Sequence, residues 1–292
     1  MEKVTTTLLS ENLMKKQIVW LASYPKSGNT WFRSFLTAFL NEKEVDLNKM
    51  ATDSAFSDKN YVENILDLNS DYLNPKQIEQ FKRIAFNHLS ASSSKQLYIK
   101  IHDAFTFSRI DNTPLIPEKS TKLAIYIVRN PLDVALSMAN HFGERVEKSI
   151  KKYIINPDGG FATIHNSTNN QFFQPFGTWS MHVESWLTAP TFPVHFMRYE
   201  DMKEKPYETF KAAIQAIGLE FNDKQLAFAI EESKFEKLQK KELEQGFKEK
   251  LLPSSNFFFK GQVGRWKEEL STTQIEKIRE INKPMMQKFG YW

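Results

Sequence analysis

Apolar and β-branched runs alternate with segments of helix length along this chain. The runs cover Ile18 to Ala22, Gln96 to Ile101, Lys122 to Val128 and Pro193 to Tyr199. An order of strand, helix and strand predicts an α/β fold in which a mostly parallel sheet of about five strands is flanked by helices. Right-handed crossovers bring the carboxyl ends of such strands to one edge of the sheet, where ligands bind.

The segment 142–178 interrupts this alternation, since turn residues at 156–160 and a polar run after them break any periodicity. Excursions of this length in compact domains are commonly lids or binding loops, so we expect a lid over a substrate site. Beyond the excursion, Trp179, His182 and Trp186 recur at helical spacing. This spacing assigns His182 to the core rather than to catalysis.

Composition narrows the class of protein. The 292 residues are 41% hydrophobic, which is ample for a core, and the absence of cysteine excludes disulfides and cysteine-based zinc or redox chemistry. Residues 1–17 form an N-terminal extension that lacks the apolar stretch of a signal peptide. Because no run reaches the roughly 18 apolar residues of a membrane span, we expect a cytoplasmic protein without membrane contact.

Charge indicates a small anionic ligand rather than nucleic acid. The net charge of +4 suits a polyanionic small molecule but falls short of the clustered positive stripe of a nucleic-acid binder. The lysine-rich stretch from Lys234 to Lys250 is interleaved with glutamates, so we expect it to be a solvated helical face.

The octet Tyr-Pro-Lys-Ser-Gly-Asn-Thr-Trp at 24–31 follows the first buried run and precedes a helical pattern. A turn from a strand onto a helix N-terminus is a site for a phosphate-like anion. Gly28 can adopt the backbone angles that point successive amides at one ligand, Ser27 and Thr30 add hydroxyl donors, and Lys26 supplies a cation. The lysine precedes the glycine, which distinguishes this loop from the common nucleotide-triphosphate loop.

Polar residues also follow the second and third runs. Alternation in the strand places Lys100 and His102 on one face, about 7 Å apart, at the ligand edge of the sheet. A histidine there is well placed to take a proton from an acceptor hydroxyl. The third run ends in Arg129, followed by Asn130 as a plausible helix N-cap, and Ser137 lies two turns inside that helix. Arg129 and Ser137 can both face an anion at this terminus.

Taken in order, these elements resemble the cytosolic-type sulfotransferases, which use 3′-phosphoadenosine 5′-phosphosulfate (PAPS) as the sulfate donor. The octet resembles their phosphosulfate loop, Lys100 and His102 their Lys-x-His element, and the stretch from Arg129 to Ser137 their 3′-phosphate element. The loop Phe259-Lys260-Gly261-Gln262-Val263-Gly264 resembles the family's loop that closes over the 3′-phosphate. The resemblance runs from about Ile18 to Trp266, and on it the chain is identified as a member of this family.

The resemblance implies roles for particular residues. His102 would be the general base, with Lys26, Lys100 and Ser137 as the other catalytic residues. The cofactor-binding residues would be Lys26, Ser27, Gly28, Asn29, Thr30, Trp31, Arg129, Ser137, Tyr199, Ser233, Phe235, Phe259, Lys260 and Gly261. Ser137 would also hold Lys26 away from the bridging oxygen until an acceptor arrives, and Trp31 would stack on the adenine.

The resemblance also implies a single domain over 18–292, with 142–178 as the acceptor-site lid, a phosphosulfate loop like that of P-loop kinases, adenosine 3′,5′-bisphosphate as product and no metal. Phe259 stands where the family usually has Arg, so one guanidinium contact is expected to be missing, with Arg265 as its candidate replacement. The dimer motif survives only in part, at 267–276, which implies a monomer or weak homodimer.

The acceptor would be a small molecule with a hydroxyl or amine group. Aromatic residues in the segments that would wall its pocket indicate an apolar or aromatic alcohol: Phe105, Phe107, Phe161, Phe172, Phe173, Phe176 and Phe247. Two alternatives remain at this point. One is an ATP-dependent small-molecule kinase on the same sheet, and the other is a non-catalytic protein that binds nucleotide or RNA through basic loops.

Overall fold

A parallel sheet lies at the centre of the fold. The computed structural model describes residues 16–161, 170–252 and 256–292. Five strands of that part form the sheet in the order β2-β3-β1-β4-β7. The strands are β1 (Ile18–Ser23), β2 (Ser54–Ala55), β3 (Leu97–Ile101), β4 (Thr121–Val128) and β7 (Val194–Arg198), and a separate antiparallel pair consists of β5 (Gly160–Phe161) and β6 (Gln174–Pro175).

Helices cover both faces of the sheet. Their bounds are α1 (Asn29–Asn41), α2 (Lys59–Leu66), α3 (Pro75–Ser92), α4 (Pro131–Phe142), α5 (Val146–Ser149), α6 (Trp179–Thr188), α7 (Tyr199–Glu204), α8 (Pro206–Ile217), α9 (Asp223–Glu232), α10 (Phe235–Gln245), α11 (Trp266–Glu269) and α12 (Thr272–Lys288). None of the helices within the described ranges is long and apolar enough to cross a membrane.

Strand β1 is the most deeply buried part of the sheet. Trp20 packs into one hydrophobic cluster on the face that carries α3 and α6, and Leu21 packs into another on the face that carries α1 and α8. Because both faces are covered, the strand reads as a continuous apolar run rather than an alternating one. The predicted α/β sheet flanked by helices is confirmed, with four strands close to their expected bounds.

The fifth strand, β2, carried no signal in the sequence. It contains only Ser54 and Ala55, which pair with Ile99 and Lys100 of β3. A strand of two small residues is too short to show the period of two on which strand prediction depends. It nevertheless extends the sheet past Lys100 on the side away from β4.

The predicted lid, 142–178, is ordered where the structure describes it. After α4 the chain forms α5, a π-helical turn at Ile150–Ile154 and the β5-β6 pair. Phe172 N–H donates to the Ser57 carbonyl (2.8 Å) and Ala104 N–H to the Pro175 carbonyl (2.7 Å), which docks the excursion against the ends of β2 and β3. Residues 162–169 of this segment and 1–15 of the predicted N-terminal extension lie outside the described residues.

A buried ion pair lies beneath this edge of the sheet. Lys82 Nζ of α3 is 3.1 Å from Asp103 Oδ2 and also lies 3.8 Å from the centre of the Phe56 ring. Asp103 directly follows His102 and accepts the indole N–H of Trp186 on its carbonyl at 3.0 Å. The pair therefore fixes the backbone next to the strand end that carries His102.

Replacement of Lys82 by Met should lower the free energy of unfolding by about 3–5 kcal/mol, because it leaves the Asp103 carboxylate buried without a partner. Urea unfolding at neutral pH checks this, with Lys76→Met on the exposed side of the same helix as the control, expected to change stability by less than about 0.5 kcal/mol. Burial raises the pKa of Asp103. The loss of unfolding free energy in Lys82→Met should therefore become smaller as the pH falls and Asp103 takes up a proton. A Lys82→Met variant as stable as the parent would contradict a stabilising role of the buried ion pair.

Candidate active site

One cavity of about 790 Å³ lies over the carboxyl ends of the central strands. Its wall contains all the predicted site residues except Ser27 and Ser233. The sheet order sets their arrangement. Lys26 follows the central strand β1, His102 follows β3 on one side, and Arg129 and Tyr199 follow β4 and β7 on the other.

The loop between β1 and α1 has an unusual backbone. Lys26 has φ 66° and Gly28 has φ 107°, both in the left-handed region. A Cβ at Gly28 would lie 2.7 Å from the Tyr199 ring, so that position requires glycine for space as well as for angle. The loop thus brings its backbone against Tyr199 while the Lys26 side chain enters the cavity.

Several buried donors around this loop have no protein partner among the described residues: Ser27 Oγ, Trp31 Nε1 and Arg129 Nε. Buried polar groups are nearly always hydrogen-bonded, so unpaired donors next to a cavity indicate a ligand with acceptor atoms. Lys26, Lys100 and Lys260 line the same cavity. This donor set fits a polyanion better than a neutral ligand.

Lys26 is the most strongly perturbed cation of the site. Burial, with the nearby charges of Lys100 and Arg129, lowers the pKa of Lys26 to about 7. Its Nζ lies 3.4 Å from His141 Nδ1 and 3.8 Å from the centre of the Phe257 ring. The cavity therefore holds a lysine that gains its charge most readily when an anion is close.

His102 is held in one tautomer by its surroundings. Its Nδ1 lies 2.9 Å from the Ser23 carbonyl, which can only accept, so Nδ1 carries the proton. Burial and the charge of Lys100 hold the pKa of His102 well below its usual value. The imidazole is thus neutral, and Nε2 is the ring nitrogen that can take a proton.

A buried histidine supports the same strand end from behind. His182 is fully buried, as its helical spacing predicts, and its Nε2 lies 3.0 Å from the His102 carbonyl. Its Nδ1 lies 2.7 Å from the Tyr126 hydroxyl. The carbonyl must accept, so His182 donates from Nε2 and accepts the Tyr126 hydroxyl proton at Nδ1. The core thereby fixes the backbone of His102.

On the other side of Lys26, the guanidinium of Arg129 connects several loops. Its Nη1 donates to the Lys26 carbonyl (3.2 Å), its Nη2 donates to the Gln262 carbonyl (3.3 Å), and its Cζ lies 4.2 Å from the centre of the Tyr199 ring. Asn130 caps α4 as predicted, accepting from Leu132 N–H. Arg129 thus links the loop after β1 to the loop near the C-terminus.

The C-terminal loop is also tied to the start of α4. Asp133 accepts hydrogen bonds from Gly264 N–H (2.7 Å) and Trp266 N–H (3.1 Å). These contacts join residues 131 and 133 positions apart, so they leave no local signal in the sequence. At the cavity edge, Glu269 binds both Lys260 Nζ (3.0 Å) and Arg265 Nη2 (2.7 Å).

The structure does not bring Ser233 to the cavity wall. It is fully buried, and its hydroxyl donates to the Ile230 carbonyl (3.1 Å) at the end of α9. Phe235, two residues on, does line the cavity. Ser27 is also buried outside the wall, although its unpaired hydroxyl lies in the loop itself.

Sequence reasoning missed His141 and Glu249. His141 lies one turn beyond Ser137 on α4, a spacing that could have identified it, and its pKa is lowered to about 3 by burial and the charges of Lys26 and Lys100. Glu249 lines the cavity within the stretch predicted to be a solvated face. That prediction was wrong for Glu249, which binds Arg33 and Lys100, and for Glu242, whose buried carboxylate accepts Phe257 and Phe258 N–H.

Most of the phenylalanines expected in the acceptor pocket lie elsewhere. Only Phe161 of that set lines the cavity, while Phe105, Phe172 and Phe176 pack in one core cluster and Phe247 in the other. The phenylalanines that line the cavity are instead Phe142, Phe161, Phe235, Phe257, Phe258 and Phe259, beside Trp31 and Tyr199. The prediction failed because abundance of phenylalanine in a segment does not distinguish core from pocket.

Comparison with known proteins decides the family. Residues 16–290 match the family model described as the sulfotransferase domain. The chain belongs to the sulfotransferase family. It is 24% identical over 273 residues to cytosolic sulfotransferase 13 of Arabidopsis thaliana, covering 90% of this chain and 75% of that protein. It is 27% identical over 286 residues to sulfotransferase 1B1 of Canis lupus familiaris, covering 91% and 82%. The predicted assignment as a sulfotransferase enzyme is confirmed.

Solved structures share this fold. Retinol dehydratase, in complex with androsterone and the inactive cofactor PAP, has a TM-score of 0.60 at 17% identity, covering 94% of this chain and 81% of that one. The mouse sulfotransferase SULT7A1 complexed with PAP has a TM-score of 0.57 at 20% identity, covering 94% and 86%. At these identities the likeness supports the fold alone.

The ammonium of Lys26 should titrate near pH 7 in the free protein. Replacement of Lys100 by Met removes a repelling charge, so the pKa of Lys26 should rise. The pH dependence of Lys26 acetylation, read by mass spectrometry on peptides, measures both values. Lys95→Met, which changes an exposed lysine, serves as the control. A Lys26 midpoint above pH 9 in the parent protein would contradict the assigned environment.

Proposed function

We propose that this enzyme transfers the sulfuryl group of PAPS to a hydroxyl or amine group of a small-molecule acceptor, with His102 as the general base. One observation carries the proposal. Within a single cavity, Lys26 lies between the neutral imidazole of His102 on one side and the Arg129 and Tyr199 side chains on the other. A donor with an anionic group at each end needs cations on one side of the transfer point, and the acceptor needs a base on the other side.

On this proposal the nucleotide lies on the β4-β7 side. Arg129, Ser137, Lys260 and the loop at 261–264 would bind the 3′-phosphate, and Trp31, Tyr199 and Phe235 would form the adenine site. Phe259 adds no charge there. Arg265 lies with its Cζ 5.4 Å from the centre of the Phe259 ring and lines the cavity, which supports it as the replacement guanidinium.

Sulfuryl transfer depends on in-line positioning and on stabilisation of charge at the leaving oxygen, with little covalent participation by the protein. PAPS supplies the activated sulfuryl group. His102 Nε2 would remove the acceptor proton, and Lys26 with the loop amides would neutralise the leaving phosphate. Lys100 would help to hold the transferring group. His141, rather than Ser137, makes the contact with Lys26 that the structure shows.

The acceptor site would lie on the β3-β2 side, between His102 and the described part of the 142–178 excursion. Phe142, Phe161 and Phe257 offer aromatic surface there, while Ser57 and Gln174 add polar groups. Retinol dehydratase binds androsterone, an apolar alcohol, on the same fold. The aromatic and polar residues of this wall suit an acceptor with an apolar body and a hydroxyl or amine group. The lid role of 142–178, the cytoplasmic location, the weak association and the independence from metal stay predictions.

Adenosine 3′,5′-bisphosphate should stabilise the protein by roughly 2–3 kcal/mol at about a hundredfold its dissociation constant, and ATP with magnesium should stabilise it much less. The difference follows from the two phosphate sites that only the bisphosphate fills. Thermal unfolding with each ligand, and with EDTA added, gives the comparison. An equal or larger effect of ATP with magnesium would favour the kinase alternative.

His102→Ala and Lys26→Ala should each lower turnover by at least about 100-fold, because one removes the base and the other the leaving-group cation. Steady-state rates with PAPS and a panel of phenols, alkanols and amines, read by mass gain, provide the measurement. His88→Ala, at an exposed histidine of α3, is the matched control. If His102→Ala kept near-full turnover, another group would have to be the base.

A further inference from the structure

Glu249 places a negative charge inside a cavity whose other charged lining residues are lysines and arginines. Its Oε2 lies 2.9 Å from Lys100 Nζ, and its Oε1 lies 2.8 Å from Arg33 Nη1. Burial alone would raise the pKa of Glu249, but Lys100 and Arg33 hold it well below its usual range. The carboxylate is therefore ionised at every working pH, and it cancels much of the field of these two cations.

The position of Glu249 is fixed from both sides. Asn48 accepts Lys248 N–H on its Oδ1 (2.8 Å) and donates from Nδ2 to the Gly246 carbonyl (3.2 Å), which ties the segment 246–252 to the chain after α1. Arg33 is itself anchored by donating from Nη2 to Thr52 Oγ1 (3.1 Å). The Glu249 carboxylate thus belongs to a hydrogen-bonded network and is not a free surface side chain.

This network lies on the acceptor side of the cavity. Lys100 belongs to β3, two residues before His102, and pairs in the sheet with Ala55 of β2. The Arg129 and Tyr199 side chains follow β4 and β7, on the opposite side of the central strand. A charge at Glu249 consequently acts on a molecule that approaches His102 much more than on the nucleotide end of the donor.

We propose that Glu249 determines which acceptors the enzyme takes, by rejecting those with an anionic group and favouring neutral or cationic ones. With the carboxylate present, Arg33 is paired and the charge of Lys100 is offset, so the two cations offer no second anion site for an acceptor beside the transferring group. An anionic acceptor then meets the like charge of Glu249 in a partly desolvated cavity. Without it, the same two cations form a site for a carboxylate. The proposal rests on the proposed function, since it concerns the acceptor of that reaction.

The test compares three phenols of similar shape that differ in the charge of one end: tyramine, 4-(2-hydroxyethyl)phenol and 4-hydroxyphenylacetate. Calorimetry measures their dissociation constants with the intact protein saturated with adenosine 3′,5′-bisphosphate. The parent protein should bind the anionic phenol at least about tenfold more weakly than the neutral one. Glu249→Gln should shift the ratio of anionic to neutral affinity by at least about tenfold toward the anion.

Two variants separate acceptor selection from a structural role. Glu249→Asp keeps the charge and should keep the parent's preference, and Glu244→Gln makes the same change on the exposed side of α10 and should leave the preference unaltered. Thermal unfolding of each variant with the bisphosphate verifies that the fold and donor site persist. Parent-like preference in folded, bisphosphate-binding Glu249→Gln would overturn the proposal, as would equal binding of anionic and neutral phenols by the parent.

The same series run with PAPS distinguishes this proposal from the proposed function. The ratio of kcat/KM for anionic and neutral phenols should shift as the binding ratio does, which would support both. If the phenols bind with the expected charge preference but none gains sulfate, the proposed function fails and the acceptor-side assignment of Glu249 stands on binding. If Glu249→Gln changed only the dissociation constant of the donor and not the preference among phenols, the acceptor-side assignment of Glu249 would be overturned.

Discussion

The site depends on one constraint, which is the place of β1 at the centre of a parallel sheet covered on both faces. Its buried residues leave the strand no freedom to shift, because a slip of one residue would exchange the side chains of two hydrophobic clusters. The loop that follows must then emerge between the ends of β3 and β4. Because β1 lies between β3 and β4, Lys26 lies between the side of the cavity that carries His102 and the side that carries Arg129. No local property of the loop could place it there.

Charge is the second determinant of the site. Lys26, Lys100 and Arg129 share one cavity, and their mutual repulsion in a desolvated place costs free energy that the fold has to supply. Hydrogen bonds from Arg129 to backbone carbonyls and the ion pairs of Glu249 offset part of this cost. A bound anion would relieve the repulsion that is left. The apparent affinity for a polyanionic donor would therefore include the loss of electrostatic repulsion that is already present in the free protein.

Much of the fold was predictable because the signals for it are local. The runs that form β1 and most of β4 are continuous and apolar, and those of β3 and β7 are mostly apolar. The N-cap Asn130 and the first helical residue Pro131 lie next to each other in sequence. Most of the residues predicted for the donor side line one cavity, and their motifs are contiguous in sequence. Their functional roles stay proposals.

What sequence reasoning missed shares one physical cause. Glu249 finds Arg33 and Lys100 only after the chain has folded, across 216 and 149 residues of sequence. The stretch around it has the composition of an exposed helix, so the pattern predicted solvent where the structure has an ion-pair network. Ser233 illustrates the converse, since it matches a motif by spacing while its hydroxyl is used to complete a helical turn.

The two hydrogen bonds that Asp133 accepts from Gly264 and Trp266 order one end of the cavity before a ligand binds. They join the first turn of α4 to a loop that is remote in sequence, so both walls of that end of the cavity keep their spacing before anything binds. A ligand arriving there forgoes little entropy in ordering the loop, and more of its contact energy appears as affinity. The opposite end of the cavity is held as well: Ser149 Oγ of the excursion donates to the Ala135 carbonyl of α4 (3.0 Å), and Asn48 accepts Lys248 N–H of the segment 246–252 (2.8 Å). The molecule therefore meets a ligand with both ends of its cavity already held in place by hydrogen bonds between neighbouring segments.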